Sequence, residues 1–274
     1  MTPDRFPANP FPLAGAMTGS KLQSNRHELK YLVDEPKAQT IRQFVMSYLE
    51  PDAHTPPEGG GYAVHSLYLD TPDRLLCQAT QHGLKNRFKL RVRFYDEVPE
   101  NPVFFEIKRR VTDVILKQRA AVRRSSVPHL LAGDWPGRED LFIDDDRNFR
   151  ALYNFCTLRS DIGAQPSAYT SYLREGYEPP DSNDARVTFD RQIRGQEFRG
   201  SLSVKNLKTW QYAEIPGVIL ELKFTGRFPN WMHTLVEHFN LVRTSVPKYV
   251  KCVEVVEGIP HRQSSAALAS LFPA

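Results

Sequence analysis

The chain has 274 residues, of which 41% are apolar, 25% charged and 11% aromatic, with a net charge of +4 and a pI near 8.9. That composition excludes a disordered or fibrous protein and suits one large soluble domain or two small ones, and no apolar run reaches the roughly 18 residues that span a bilayer. Cys77, Cys156 and Cys252 are odd in number and scattered, with no CxxC spacing. They argue against a disulfide framework or a zinc site and for a reducing, cytoplasmic setting.

The first 24 residues are rich in Pro and Gly and lack a basic start followed by an apolar core, so they read as a flexible tail and not as a signal peptide. His27 to Val33 then alternates as a strand, and Asp34-Glu35-Pro36 opens a helix to about Tyr48, with Ile41, Val45 and Leu49 at helical spacing. Pro51 to Gly61 is a loop. Ala63 to Asp70 is a strand, and Thr71-Pro72 caps and starts a short helix through Gln81. Phe88 to Glu97, Val103 to Arg110 and Val114 to Val122 form a meander with short turns, which calls for antiparallel pairing.

A helical turn is expected over Val127 to Leu131 and a helix over Asp146 to Arg159. The acidic run Asp144-Asp145-Asp146 before that helix reads as N-terminal capping, not as a metal site. Strands return at Ala168 to Glu175 and Ala185 to Asp190, in FRGSLSVKNL and at Gly217 to Phe224. Pro229 to Phe239 is a helix, and Lys248 to Glu254 is a last strand or helix turn. No repeat or linker divides the chain. The expectation is one domain over 25–257 between an N-terminal tail (1–24) and a C-terminal tail (258–274).

One pattern recurs along the strands. Lys89, Arg91 and Arg93 share one face of FKLRVRF while Phe88, Leu90, Val92 and Phe94 take the other, because a strand sends alternate side chains to opposite faces. Glu106, Lys108 and Arg110 share a parity in the next strand, and Lys117 and Arg119 in the one after. Glu28 with Lys30, Arg186 with Asp190, and Glu221 with Lys223 repeat the arrangement. For any one strand, an apolar face inward and a charged face to water is the ordinary explanation. The set is different, because solvated faces are seldom Arg and Lys at successive inward steps. An α+β fold with a closed antiparallel β-barrel of about eight strands and helices on its outside resolves it, the charged faces lining a water-filled tunnel.

Like charges 6 Å apart repel by about 3 kcal/mol at an effective dielectric of 20. A polyanion offsets that repulsion, and Arg and Lys are the side chains that grip phosphate oxygens. The few carboxylates suit Mg²⁺ or Mn²⁺, which binds through one or two carboxylates plus substrate phosphates. Arg109, Arg110, Arg123 and Arg124 read as outer or edge charges, and Tyr31, Tyr68 and Tyr172 as packing residues, although Tyr68 and Asp70 share an inward parity.

HELKY, SLYLDT, LRVRFY, FFEIKRR, LKQR, YLREGY with ARVTFD, VILELKF and a PKY segment occur in that order from about Arg26 to Val255. This order resembles the VTC domain, the polyphosphate polymerase domain of the triphosphate tunnel metalloenzyme superfamily. The resemblance implies an eight-stranded tunnel whose basic side chains line a polyphosphate path. It makes Lys30, Arg91, Arg93, Lys108 and Arg186 the catalytic phosphate-holding set, with Lys117, Arg119, Arg174, Lys223 and Lys248 as further phosphate ligands. Glu221, with Glu28, is the implied ligand of Mn²⁺ or Mg²⁺. Two positions depart from the pattern: Pro247 replaces the usual serine before Lys248, and Ser245 stands where related sequences carry a lysine, which leaves Lys251 as the candidate substitute.

The implied reaction is transfer of the terminal phosphoryl group of ATP, or another triphosphate, to inorganic polyphosphate. The alternatives are hydrolysis of tripolyphosphate or a nucleoside triphosphate in the same tunnel, and a non-catalytic polyphosphate-binding module. Nucleic acid is not expected as a partner, since the basic residues alternate on strands with no helix-turn-helix or zinc-finger signature. The family's membrane-tethered complexes leave room for a membrane-protein partner at the inner face of the membrane.

Overall fold

In the computed structural model, residues 26–56, 59–112, 114–205 and 209–258 are described. The elements in chain order are β1 (Arg26–Val33), α1 (Glu35–Val45), β2 (Glu50–Pro51), β3 (Tyr62–Asp70), α2 (Leu75–Gln81), β4 (Arg87–Phe94), β5 (Val103–Val111) and β6 (Val114–Val122). They continue with α3 (Val127–Ala132), α4 (Asp146–Asp161), β7 (Gln165–Glu178), β8 (Ala185–Glu197), β9 (Gln211–Tyr212), β10 (Val218–Thr225), α5 (Asn230–His238) and α6 (Lys248–Glu257). The tails expected at 1–24 and 258–274 lie outside the described residues, except for Gly258. That glycine ends α6 with φ 66°, a left-handed geometry that costs glycine least. Among the described residues no helix is long and apolar enough to cross a membrane.

All strand pairings are antiparallel, in the order β7-β3-β4-β5-β6-β1-β10-β8, and β7 also pairs with β8. The sheet therefore curls back toward itself. The closed barrel expected from the sequence is corrected at one seam, because β1 and β6 share a single paired position, Arg26 with Ile115. The barrel is open there, and the inward residues beside the seam, Glu28, Lys30, Lys108 and Ile115, line a cavity instead of completing a ladder.

The apolar strand faces point outward under helices. Leu90, Val92 and Phe94 of β4 and Phe105 of β5 pack with Leu130 of α3 and Leu152 and Phe155 of α4. Val187 and Phe189 of β8 and Leu220 and Leu222 of β10 pack with Ile41 and Val45 of α1 and Met232 and Leu235 of α5. Each such side chain contributes about 1.5–3 kcal/mol by leaving water, so the outward face of the sheet forms the core. Asp34 caps α1 by accepting from Lys37 N at 2.8 Å, and Asp145 caps α4 by accepting from Asn148 N at 2.6 Å.

Two local expectations are corrected, and one left open between strand and helix is decided. The second helix starts at Leu75 and not at Thr71-Pro72, because the buried Asp70 carboxylate accepts from Leu76 N and Cys77 N at 2.9 Å and so caps the helix from the strand end. The described residues of FRGSLSVKNL form no strand; Ser203 Oγ and Val204 N donate instead to Glu97 Oε1. Lys248–Glu257 is a helix. It enters the barrel end, with Tyr249 and Val250 against Tyr68 and Ala168, and passes so close to β8 that a Cβ on Gly195 would lie 2.7 Å from Cys252 Cβ. The three cysteines are buried and free.

Candidate functional site

The inward strand faces enclose a cavity of about 870 Å³. Every residue that the resemblance made a phosphate or metal ligand lines it: Lys30, Arg91, Arg93, Lys108, Lys117, Arg119, Arg174, Arg186, Lys223, Lys248, Glu28 and Glu221. The lining holds twelve Lys or Arg against five Asp or Glu, an excess larger than the net charge of +4 on the whole chain. The positive charge of this protein is therefore concentrated in one cavity, where low-dielectric walls strengthen its field.

Three carboxylates organise the cations. Glu106, fully buried on β5, lies with Oε2 2.7 Å from both Nε and Nη2 of Arg91, and with Oε1 2.6 Å from Lys117 Nζ and 3.4 Å from Arg119 Nε. Asp190 accepts Arg174 through both oxygens, at 2.6 and 2.7 Å, and lies 2.6 Å from Lys248 Nζ. Glu221 lies 2.6 Å from Lys223 Nζ, 2.8 Å from Lys248 Nζ and 3.2 Å from Lys30 Nζ. Burial alone would raise the Glu221 and Glu106 carboxyls. The lysines and arginines around them outweigh burial and hold both well below the usual range, so both are ionised. Burial and its cationic neighbours bring Lys223 down to about 7, against the pull of Glu221.

Glu28 faces the same lysines, 3.2 Å from Lys30 Nζ and 2.8 Å from Lys108 Nζ. Lys108 and Lys30 hold its carboxyl well below the usual range although burial would raise it. Glu28 and Glu221 thus converge, both ionised, on the one ammonium of Lys30. Among the described residues no group of three or more His, Cys, Asp or Glu side chains forms a metal site. Two ionised carboxylates at one point fit a hard divalent cation that takes its other ligands from phosphate and water.

Other inward cations have no carboxylate in contact. Arg93 donates to Ser66 Oγ at 3.3 Å and to Tyr172 OH at 3.1 Å. Tyr172, read as a packing residue, therefore has its hydroxyl in the site, and Tyr68 accepts from Arg91 Nη1 at 3.2 Å. Lys89 also lines the cavity, and its charged neighbours are the cations Lys30, Lys108 and Arg87. It shares the parity of Arg91 and was legible from it, as was Phe104 from Glu106.

Arg186 is held at the cavity lip. It ion-pairs with Asp52 and, at 3.1 Å, with Glu178. Asp52 also accepts from Tyr62 OH at 2.9 Å and from Thr55 N and Oγ at 2.9 and 2.8 Å. Asp52 and His54 lie in a loop without periodicity and carried no signal in the sequence.

A second cavity of about 370 Å³ shares Glu28, Lys30, Lys89 and Lys108 with the first and adds Arg87, Arg110 and Arg243. Arg110 is thus a lining residue and not an edge charge. Arg109 and Arg123 are exposed as expected, and Arg124 lies over Phe94 on the outer face. Lys251 does not substitute for the missing lysine: it pairs with Glu254 at 2.7 Å and lines neither cavity.

The VTC domain profile matches residues 25–257. No curated protein matches the chain. Among solved structures, a protein from Pyrococcus horikoshii matches at 13% identity with a TM-score of 0.40, over 82% of this chain and 96% of that one. A proposed adenylate cyclase from Vibrio parahaemolyticus matches at 14% identity and 0.38, over 90% and 98%. The capping-enzyme triphosphatase of Mimivirus matches at 10% identity and 0.34, over 79% and 89%. Likeness of this order bears no weight on activity.

Proposed function

This chain belongs to the VTC domain family, and on that premise we propose that it transfers the terminal phosphoryl group of ATP to the end of an inorganic polyphosphate chain held in the basic cavity. The observation that favours this reading over triphosphate hydrolysis is the continuity of the cationic lining. The two cavities share Lys30, Lys89 and Lys108, and Arg87, Arg110 and Arg243 carry the charge onward. A triphosphate alone needs one basic pocket, whereas a growing polymer needs a path.

Phosphoryl transfer relies on positioning and charge neutralisation more than on covalent chemistry. Arg91, Arg93, Lys108 and Lys248 hold the phosphates, and the buried carboxylates Glu106 and Asp190 fix the directions of Arg91 and Arg174. Arg93, with no carboxylate to displace, has its charge available to an incoming phosphate. The acceptor is an ionised phosphate, so no general base is required of the protein. Glu28 and Glu221 would hold Mn²⁺ or Mg²⁺, which when bound neutralises charge on the phosphate oxygens.

Incubation of the full chain with ATP and Mn²⁺ tests the reading. Long polyphosphate chains resolved on a gel are expected. Release of orthophosphate alone would replace the polymerase by a triphosphatase, and tight tripolyphosphate binding without turnover would replace it by a binding module.

A further inference from the structure

Tyr68 is a buried aromatic residue that lines the main cavity. Its place on β3 sets it opposite Arg91 on β4 and Ala168 on β7. Cys77 of α2 packs in the same cluster, and the ring stacks on Tyr249 of α6, with centroids 4.4 Å apart and planes 17° apart. Tyr249 is itself fixed, because its hydroxyl donates to Asp70 Oδ2 and meets Ser167 Oγ, both at 2.9 Å. The Tyr68 phenol is therefore held in place before any ligand arrives, which spares the cost of ordering it on binding.

A phenol oxygen accepts and its hydrogen donates. Among the described residues the Tyr68 hydroxyl bonds to Arg91 Nη1, as acceptor, at 3.2 Å. The protein groups around it do not take up its hydrogen. Arg93 and Lys108, which act on it from β4 and β5, are donors only. Glu106 is taken by Arg91 and Lys117. Asp70, two residues along the same face of β3, accepts Thr71 N and Leu76 N at one oxygen and Cys77 N and Tyr249 OH at the other. The lumen is what remains for the Tyr68 hydrogen.

We propose that Tyr68 is a further substrate-contacting residue: its hydroxyl donates to an oxygen of the phosphate group that Arg91 and Arg93 hold. The inference rests on the reading above that phosphates occupy the lumen. Cations attract a polyanion wherever its phosphates lie, because Coulombic attraction depends on distance and not on direction. A phenol adds a directional bond and no charge, so it sets where one phosphate stops without tightening the grip on the whole chain. Burial would raise its pKa, but Arg91 and Arg93 outweigh burial and hold the phenol below its usual value. Accepting from the Arg91 guanidinium polarises the O–H bond in the same sense. The proton stays on the phenol, and no bond to Tyr68 forms or breaks.

A crystal structure of the full chain with inorganic tripolyphosphate tests the contact directly. Tyr68 Oη is expected about 2.5–3.0 Å from a phosphate oxygen. In titration calorimetry, Tyr68→Phe, which keeps the ring and its stack, is expected to bind tripolyphosphate about tenfold more weakly at pH 7. Unchanged affinity in Tyr68→Phe overturns the contact. A weaker variant together with a Tyr68 hydroxyl that meets only Arg91 or water assigns Tyr68 to steadying Arg91, and overturns it as well. Failure of the native chain to bind tripolyphosphate removes the lumen reading and this contact together, a different result from binding that bypasses Tyr68.

Discussion

Arg91 and Glu106 face each other in register across β4 and β5, and one oxygen of the buried carboxylate lies 2.7 Å from both Nε and Nη2 of the guanidinium. The same carboxylate is 2.6 Å from Lys117. Glu106→Gln leaves these cations buried and unpaired, which costs about 3 kcal/mol of stability. Tripolyphosphate should restore part of that loss, so its addition is expected to raise the Tm of the variant more than that of the native chain. A smaller rise in the variant, read by differential scanning fluorimetry, would show that the polyanion does not reach these cations.

Lys89 gives a pH dependence of known sign. Burial, then Lys30, Lys108 and Arg87, hold its ammonium well below the ordinary lysine range. The unfolded chain thus binds a proton at this site that the folded chain gives up, and the resulting penalty is full below the folded pKa and fades as pH rises toward about 10.4. Lys89→Met is expected to raise Tm at pH 7, to lose that advantage near pH 10, and to weaken tripolyphosphate binding. A pH-independent Tm difference would contradict the assignment.

Glu28 and Glu221 meet at Lys30, so a divalent cation held there should act together with phosphate. Mn²⁺ and tripolyphosphate added together are expected to raise Tm by more than the sum of their separate effects. Glu221→Gln should abolish this synergy while tripolyphosphate alone still stabilises. Synergy that survives the substitution would move the metal away from Glu221.

Gly176 on β7 lies against the loop that carries Asp52. A Cβ at this position would overlap the Asp52 carboxylate, which is pinned by Thr55, Tyr62 and Arg186. Gly176→Ala is expected to destabilise by about 2 kcal/mol through loss of these buried contacts. Chemical denaturation measures it, and a change under 0.5 kcal/mol would mean that the loop yields freely.

The inward residues were legible because alternation is local. Lys30, Arg91, Arg93, Lys108, Arg186 and Glu221 each follow from the parity of one strand, and all line the cavity. Lys89 obeys the same rule. The described residues of FRGSLSVKNL form no strand because Val204 N and Ser203 Oγ bond to Glu97, more than a hundred residues earlier in sequence, and no local pattern reports such a partner. Arg110 was misread as an edge charge, because whether the end of a strand borders solvent or a cavity depends on the neighbouring seam.

The sequence by itself determined which side chains face inward, since the two-residue period of a strand needs only its own backbone. Tertiary structure decided how those charges are used. Strand register assigned Glu106 to Arg91 and Lys117 and brought Asp190 to Arg174 and Lys248. The curl of the sheet opened the β1–β6 seam into a second basic cavity. Loop closure set Asp52 on Arg186. These outcomes depend on contacts between residues far apart in the chain, and their energies belong to the pairs and not to either residue's own segment.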